Sequence, residues 1–410
     1  MRSKFMLCSV SIVAVAMVSY GADAVAVESE AKAATVAVAG EAQPVVEEAV
    51  APVAVLVRPD DAAVKEAVDK GVAWLKRHQL ENGSWSNPNY PGLTALGLWA
   101  LVSNNREDMA AECQKAADFI AGFAQEDGGI YKPATAVRGS GGLSTYNTAI
   151  CMTALHAYKK QAYTPMILKA RTFVAGSQLE GDSGGAGGYG YEGINATSPM
   201  ARDRADLSNT GWALTAMRLT QDLEDLRPAG EKKADVDWKA ALAFVEKLQN
   251  RDEEDSANFG GFGYEAGGSR SGASEGSVNP VALRSFGSMT YAGLEAMIYA
   301  QVGRDDPRVR SAVAWAARHW SVNENPGMGS KGLFYYYTIM AKSLALAAGG
   351  DTIEREKGEP IAWKTELLVK LLKEQKGDGS WANSDNAFWE ADPALVTAYA
   401  LLTIGYIQGN

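Results

Sequence analysis

Aspartates and tyrosines stand at the starts of several apolar helical segments, and these side chains are the ones best suited to chemistry in this 410-residue sequence. A carboxylate can serve as a general acid or base, and a phenol hydroxyl can bind or orient a ligand. We take Asp206, Asp392 and Tyr336 as candidate catalytic residues. The candidate ligand-binding residues in the same positions are Tyr146, Asn147, Ser208, Asn209, Tyr291, Tyr335, Tyr336 and Tyr337.

Each candidate also has a structural explanation. Aspartate is a preferred helix N-cap, and Asp392 followed by Pro393 is a typical helix start. Tyrosines are common in cores. Glu295 and Lys342 lie deeper in the apolar segments, where an unpaired charge is costly. We therefore expect these two to pair, directly or through water, or else to form the polar floor of a cavity.

Two kinds of helical segment alternate after residue 60 and must position these side chains. The first kind is amphipathic and usually ends at a Gln, whereas the second is apolar on nearly all sides and is expected inside the protein. The amphipathic segments are predicted at residues 62–79, 109–125, 165–178, 235–249, 307–320 and 363–375. The apolar segments are predicted at residues 92–103, 144–159, 207–220, 288–302, 332–348 and 393–407.

This alternation predicts an all-α fold, an α/α toroid of about six helical hairpins with inner and outer helix rings. All inner helices then begin at one mouth of the ring. The partial positive charge of their N-termini favours an anionic or polar ligand there.

A short motif ends the first amphipathic segment and recurs at the last. It runs from Lys70-Gly71 through Trp74-Leu75 and Gln79 to Gly83-Ser84-Trp85, and its end returns as Gln375 with Gly377-Asp378-Gly379-Ser380-Trp381. We expect the Gln to bond the helix-end carbonyls and the amides of the next inner helix, while the Trp covers the gap. The motif is thus interpreted as a clamp between repeats.

The N-terminal region has the features of an export signal. Arg2 and Lys4 precede an apolar run, and small-residue cleavage sites follow it. We predict a signal peptide over 1–26, an Ala/Val/Glu-rich linker over 27–59 and the toroid domain over 60–410. The mature protein is expected to be exported, to the periplasm or the extracellular space, and not to span a membrane.

Composition excludes some partners and leaves others open. The net charge of −10 and the pI of about 5.1 argue against nucleic-acid binding. Cys113 and Cys151 are expected to be small buried thiols, with a single bridge between them as the alternative. We predict no metal and no cofactor, and the sequence carries no signal for a particular oligomeric state.

The Gln and Trp motif resembles the repeat of squalene-hopene and oxidosqualene cyclases. The hairpin ring is similar to the α/α toroid shared by terpenoid cyclases and protein prenyltransferase β subunits. The tract from Asn325-Pro326-Gly327 through Tyr335-Tyr336-Tyr337 to Asp392-Pro393 resembles exported bacterial proteins with prenyltransferase and squalene-oxidase-type repeats.

The resemblance does not extend to the catalytic residues. The cyclases use the middle Asp of an Asp-x-Asp-Asp-Thr-Ala motif as their acid, and in the nearest match here, Asp206 to Gly211, Ser208 takes that place. A hydroxyl of such high pKa cannot protonate an alkene. The Asp, Cys and His set that holds zinc in prenyltransferases is also missing, because His78, His156 and His319 lie far apart with no matching Cys.

Two functions remain open on the sequence. The first is a ligand-binding or interaction scaffold in the cell envelope, which would hold a small molecule, a lipid or a polysaccharide. The second is an enzyme that uses the central cavity, either a polysaccharide lyase or a divergent terpenoid cyclase or transferase. An open central pocket with convergent titratable groups would favour the enzyme, and a centre filled by aromatic rings would favour the scaffold.

Overall fold

The structure, a computed structural model, describes residues 56–135, 141–193, 204–266 and 284–409. The predicted signal peptide, 1–26, and most of the predicted linker, 27–59, lie outside the described residues. No helix in the described part combines the length and the hydropathy that a membrane crossing requires.

Twelve α-helices in the described residues form six hairpins, as the sequence predicted. The outer helices are α1 (Asp61–His78), α3 (Ala110–Ala121), α5 (Thr164–Gly176), α7 (Trp238–Lys247), α9 (Pro307–Arg318) and α11 (Trp363–Glu374). The inner helices are α2 (Pro91–Ser103), α4 (Ser144–Ala157), α6 (Leu207–Leu219), α8 (Gly287–Tyr299), α10 (Leu333–Ala347) and α12 (Pro393–Gln408).

The inner helices form a closed ring. Each packs on the next along the chain, and α12 packs on α2, so that the last inner helix contacts the first. Almost every residue of α2 and α12 is buried, which agrees with their lack of a polar face. The fold is therefore an all-α toroid, and the predicted α/α architecture is confirmed.

Local sequence explains where the helices begin and end. Asp60 caps α1 by accepting a hydrogen bond from the amide of Ala63 at 2.8 Å. Asp392 caps α12 through the amide of Ala394, with Pro393 in the first turn, and Gly409 ends that helix in the left-handed conformation.

The Gln side chains join neighbouring outer helices. Gln79 at the end of α1 donates to the carbonyl of Gly83 in its own loop and to that of Glu112 in α3, both at 2.9 Å. Gln375 at the end of α11 donates to Ala67 in α1 at 2.8 Å, which closes the outer ring. The predicted bonds to amides of the next inner helix are thus wrong, since the side-chain amide of each Gln donates to a carbonyl of the adjacent outer helix.

The motif glycines let a loop touch the next outer helix. A Cβ on Gly83 would lie 2.4 Å from the carbonyl oxygen of Lys115, and a Cβ on Gly379 would lie 2.5 Å from that of Lys70. Both glycines also have positive φ angles. No other residue satisfies both constraints.

The motif tryptophans are structural, as expected. Trp85 is buried and its indole donates to the carbonyl of Leu75 at the end of α1, at 2.9 Å. Its amide donates to the hydroxyl of Thr94 on α2. The same amide-to-threonine bond recurs at Ile130, Tyr189, Phe262 and Trp381, which donate to Thr148, Thr210, Thr290 and Thr397 respectively.

A buried ion-pair network lies between α5 and the segment that follows α6. Arg171, which is fully buried, bonds Glu224 at 2.6 Å, and Arg227 bonds the same carboxylate at 2.6 Å. Cys113 and Cys151 are buried and free, which agrees with the expected thiols.

Candidate functional site

Three polar side chains from three inner helices meet at the centre of the ring. The ammonium of Lys342 on α10 lies 2.5 Å from the carboxylate of Glu295 on α8 and donates to the hydroxyl of Thr215 on α6 at 2.9 Å. Thr215 in turn donates to Glu295 at 2.6 Å. All three are at most 3% exposed. The expected pairing of Glu295 with Lys342 is therefore confirmed.

Aromatic rings surround the ammonium group. Its nitrogen lies 5.4 Å from the ring centre of Trp212 and 5.7 Å from those of Trp99 and Tyr299, within the range of cation–π attraction. Burial lowers the pKa of Lys342, and the carboxylate of Glu295 opposes that effect. The charge is thus compensated on several sides.

The described residues leave little free space at the centre of the ring. Residues lining it include Ser208, Trp212 and Tyr335 together with the Glu295–Lys342 pair. The remaining space totals about 180 Å³, and no part of it accommodates the centre of a water molecule. The predicted central hollow is therefore filled by side chains, because aromatic residues on the inner helices converge there.

Some of the predicted ligand-binding residues lie beside this closed centre. The hydroxyls of Ser208 and Tyr335 share a hydrogen bond of 3.2 Å. The rings of Tyr335 and Tyr146 both pack near Trp212, at 6.4 and 6.2 Å between ring centres. Burial raises the pKa of Tyr335 and of Tyr146 far above neutral pH. Both hydroxyls therefore stay protonated.

Three other candidates hold helix starts together. Asp206 caps α6 by accepting from the amide of Asn209 at 2.9 Å and from its side chain at 2.8 Å. Asn147 on α4 accepts from the amide of Gly92 on α2 at 3.0 Å. Asp206 and Asn209 therefore bond each other at the start of α6, and Asn147 joins the starts of α2 and α4.

The remaining tyrosines support one loop. Tyr336 and Tyr337 on α10 donate to the carbonyls of Ser321 and Val322 in the loop that precedes the helix, at 2.8 and 2.5 Å. Tyr291 on α8 packs against Tyr336, with 5.7 Å between ring centres. All three are buried. The structure therefore does not bring Tyr336 together with Asp206 or Asp392.

Asp392 lies apart from the centre, in a cleft where the last hairpin meets the first. The volume of this cleft, which we call the seam cleft, is about 380 Å³. Its lining residues are Ser86, Asn87, Asn386, Trp389, Ala391 and Asp392. The hydroxyl of Ser86 donates to Asp392, so the two loops are bonded across the cleft.

Sequence reasoning found Asp392 but missed the other residues of the seam cleft. The available signal was the pair Phe388-Trp389, two bulky aromatic residues that follow the turn-forming run Asn383-Ser384-Asp385-Asn386. The repeat motif explains Trp381, but neither Phe388 nor Trp389 occupies a position of that motif.

Histidine and metal sites give no second candidate. His78 stacks on Trp74 with 3.9 Å between ring centres, and His319 stacks on Trp315 at 4.4 Å. Among the residues that the structure describes, no three His, Cys, Asp or Glu side chains are grouped to hold a metal ion.

Comparison with known proteins identifies the fold. No protein-family model matches the sequence, and no curated protein matches it either. Among solved structures, the chain is similar to the type II terpene cyclase MstE from Scytonema, with 11% identity, a TM-score of 0.51, and coverage of 85% of this chain and 98% of that one. At this identity the likeness shows the α/α toroid fold and nothing about activity.

Weaker likenesses are found to two further solved structures. A GH76 alpha-mannanase from Bacteroides thetaiotaomicron has 12% identity and a TM-score of 0.49, and the match covers 84% of this chain and 96% of that one. A protein from Actinoplanes has 14% identity and a TM-score of 0.47, with coverage of 84% and 99%.

Proposed function

We propose that this toroid is an exported, non-catalytic scaffold that binds a ligand in the cell envelope, using the outside of the ring instead of its centre. The observation that carries the proposal is the closed centre. Aromatic rings and the Glu295–Lys342 pair occupy the place where an enzyme of this fold would need an open cavity.

The hydrogen bonds of the candidate catalytic groups also support binding over catalysis. Asp206 is committed to capping α6, and Tyr336 donates to a backbone carbonyl. Ser208 and Tyr335 bond each other. A catalytic acid or base needs a proton position within reach of a substrate, and these groups face neighbouring protein atoms.

Thermal unfolding of the purified mature protein tests the binding function. We would add soluble polysaccharides and lipid vesicles one at a time and follow the unfolding temperature. A ligand that binds only the folded state at 100 times its Kd adds about 2.7 kcal/mol to the stability. We expect at least one envelope polysaccharide or lipid to raise the unfolding temperature without being chemically altered.

The double variant E295L/K342M is the control for the enzyme alternative. It replaces the central charges with apolar side chains of similar size, and we expect it to keep the wild-type ligand response. Conversion of a polysaccharide or an isoprenoid by the wild type, abolished in a folded E295L/K342M protein, would contradict the scaffold proposal and favour an enzyme that works at the centre.

Export is tested separately by cell fractionation. We expect the full chain to reach the periplasm or the medium in a shortened form, and a chain without residues 1–26 to stay in the cytoplasm. Equal distribution of both chains would contradict the proposed location while leaving ligand binding to be judged on its own test.

A further inference from the structure

The seam cleft contains an unusual aromatic surface. Phe388 and Trp389 are the exposed aromatic side chains of the described residues, at 39% and 45% exposure, whereas every other described tyrosine, tryptophan and phenylalanine is at least partly buried. Exposing an indole to water is unfavourable by the transfer free energy of its apolar surface. The other described aromatic rings are at least partly buried, so the exposure of the adjacent rings of Phe388 and Trp389 is unusual in this protein.

The backbone at this place is also strained. Phe388 and Trp389 have φ angles of 56° and 65°, and Ser86 across the cleft has a φ of 63°. Bulky residues rarely adopt this left-handed conformation, and each instance costs about 1–3 kcal/mol. Strain of this kind gathers at sites where a side chain must be held in one direction.

Three other left-handed residues have a different explanation. Asn105, Lys159 and Gln301 each follow the C-terminus of an inner helix, where a left-handed residue is the common way to end a helix. Helix termination does not explain Ser86, Phe388 or Trp389, nor does it explain Leu143, which precedes α4 with a φ of 57°. Two of these four residues, Ser86 and Trp389, line the seam cleft, and Phe388 precedes Trp389 in the chain.

Rigid contacts hold the aromatic pair in place. The carboxylate of Glu390, which is fully buried, accepts from the amides of Phe334 and Tyr335 at the start of α10 and from the side chain of Asn383. The ring of Tyr90 supports the indole of Trp389 at 4.7 Å between ring centres. The exposed ring is thus fixed before any ligand arrives, which lowers the entropic cost of binding.

The polar lining of the seam cleft selects among ligands. Four of its six lining residues, Ser86, Asn87, Asn386 and Asp392, offer hydroxyl, amide or carboxylate groups, and no basic side chain lines it. Amides and carboxylates form hydrogen bonds with hydroxyl groups in both directions. The nearby Asp392 and the net charge of −10 disfavour an anion, and a mostly polar wall disfavours a lipid chain.

We propose that the seam cleft binds a neutral glycan, with one sugar ring stacked on the indole of Trp389 and its hydroxyls bonded by Asn87, Asn386 and Asp392. A sugar ring presents both an apolar face of C–H groups and an edge of hydroxyls, which is the combination that this cleft offers. Its volume suits one or two sugar rings. The inference rests on the proposed binding function and assigns the ligand class and the site.

Calorimetric titration of the full mature chain tests the assignment. The probes are neutral oligosaccharides derived from β-glucan, mannan and xylan, with polygalacturonate and phosphatidylethanolamine/phosphatidylglycerol vesicles as the charged-glycan and lipid arms. We expect at least one neutral oligosaccharide to bind and W389G to weaken its affinity about tenfold or more. Glycine suits the left-handed backbone there, so this variant keeps the loop conformation.

Two further variants complete the test. D392N preserves the helix cap, since Asn caps as well as Asp, and we expect it to weaken glycan affinity severalfold through the changed hydrogen bonds. L226A removes an exposed leucine from the loop between α6 and α7 and should bind like the wild type.

The outcomes separate this inference from the scaffold proposal. Equal glycan affinity of the wild type and W389G would overturn the seam assignment, while the scaffold function would stand because binding was seen. Binding of polygalacturonate or vesicles alone, or of no probe at all, would overturn the neutral-glycan class. Turnover that depends on Glu295 and Lys342 would instead overturn the scaffold function itself.

Discussion

The centre of the ring and the seam cleft both combine aromatic rings with a carboxylate, yet they treat these groups in opposite ways. At the centre, Glu295 and Lys342 are buried, and both bond to Thr215 within a closed set of rings. At the seam cleft, Trp389 is nearly half exposed on a left-handed backbone, and Asp392 borders an open volume.

This difference indicates which polar groups serve the fold and which are available for a ligand. The hydrogen bonds among Glu295, Lys342 and Thr215 stabilise one arrangement of the inner helices. An exposed ring on a strained loop does the reverse, since it gives up stability to keep a surface free. The two regions therefore differ in the exposure of their rings, since Asp392, like Glu295, already accepts hydrogen bonds from protein groups.

The largest expected effect comes from breaking the central pair. E295L leaves the ammonium of Lys342 buried without its carboxylate, and we expect a loss of about 3–5 kcal/mol in the free energy of unfolding. E295L/K342M should recover the loss, because apolar side chains of similar volume replace the pair. Urea unfolding of E295L, K342M and E295L/K342M measures this coupling. If the double variant were as unstable as E295L, the stability would depend on interactions of Glu295 other than its pairing with Lys342.

A second effect, of roughly 3 kcal/mol, concerns acid stability. Burial would raise the pKa of Glu224, but hydrogen bonds from Arg227 and Arg171 outweigh it and lower the pKa to about 2. The folded pKa lies below the unfolded value of 4.5, so the stabilisation is present above pH 4.5 and is lost as the pH falls towards 2.

The acid effect is measured by following the free energy of unfolding between pH 6 and pH 2 for the wild type and E224Q. The variant should be less stable at pH 6 and should show a shallower fall in acid. If both proteins lose stability in parallel, Glu224 is not the group responsible. W389G, whose change lies in the seam cleft, should follow the wild-type slope.

The third prediction compares the seam with another junction of the ring through two variants that each add about 1–3 kcal/mol of backbone strain. In G379A the new Cβ meets the carbonyl of Lys70 at the seam, and in G187A it meets that of Ala240 at a different junction. Both variants should be destabilised. Only G379A should also weaken glycan binding, because it displaces the loop that carries Trp389. Equal losses of glycan affinity in G379A and G187A would mean that destabilising any junction of the ring weakens binding at the seam cleft.

The sequence predicted the ring well because the ring follows from local periodicity. Apolar segments without a polar face must be buried, and the repeated Gln, Gly and Trp mark the ends of outer helices. Even the pairing of Glu295 with Lys342 followed from the cost of an isolated charge. The repeated threonine partner, from Thr94 to Thr397, was present in the pattern and was missed.

The seam cleft was harder to predict because its residues are brought together only by closure of the ring. Ser86 and Asp392 lie in the first and last hairpins and meet through the contact of α12 with α2. Next to Trp389, the buried carboxylate of Glu390 accepts from amides at the start of α10, a contact that no local pattern indicates. The small free volume at the centre was also hard to predict, because it depends on the length and orientation of each side chain on the inner helices.

The smallest expected effect is the stability change of W389G. It tests most directly whether the exposed ring of the seam cleft differs from the buried rings of the core. Relief of about 1–3 kcal/mol of left-handed strain opposes the lost contact with Tyr90 and the backbone entropy of glycine, about 0.5–1 kcal/mol. The free energy of unfolding should therefore stay within about 1 kcal/mol of the wild type. The matched variant W381G removes a fully buried indole and should lose about 3–5 kcal/mol. A similar loss in W389G, measured by the same urea titration, would make Trp389 a core residue and remove the contrast between the two regions.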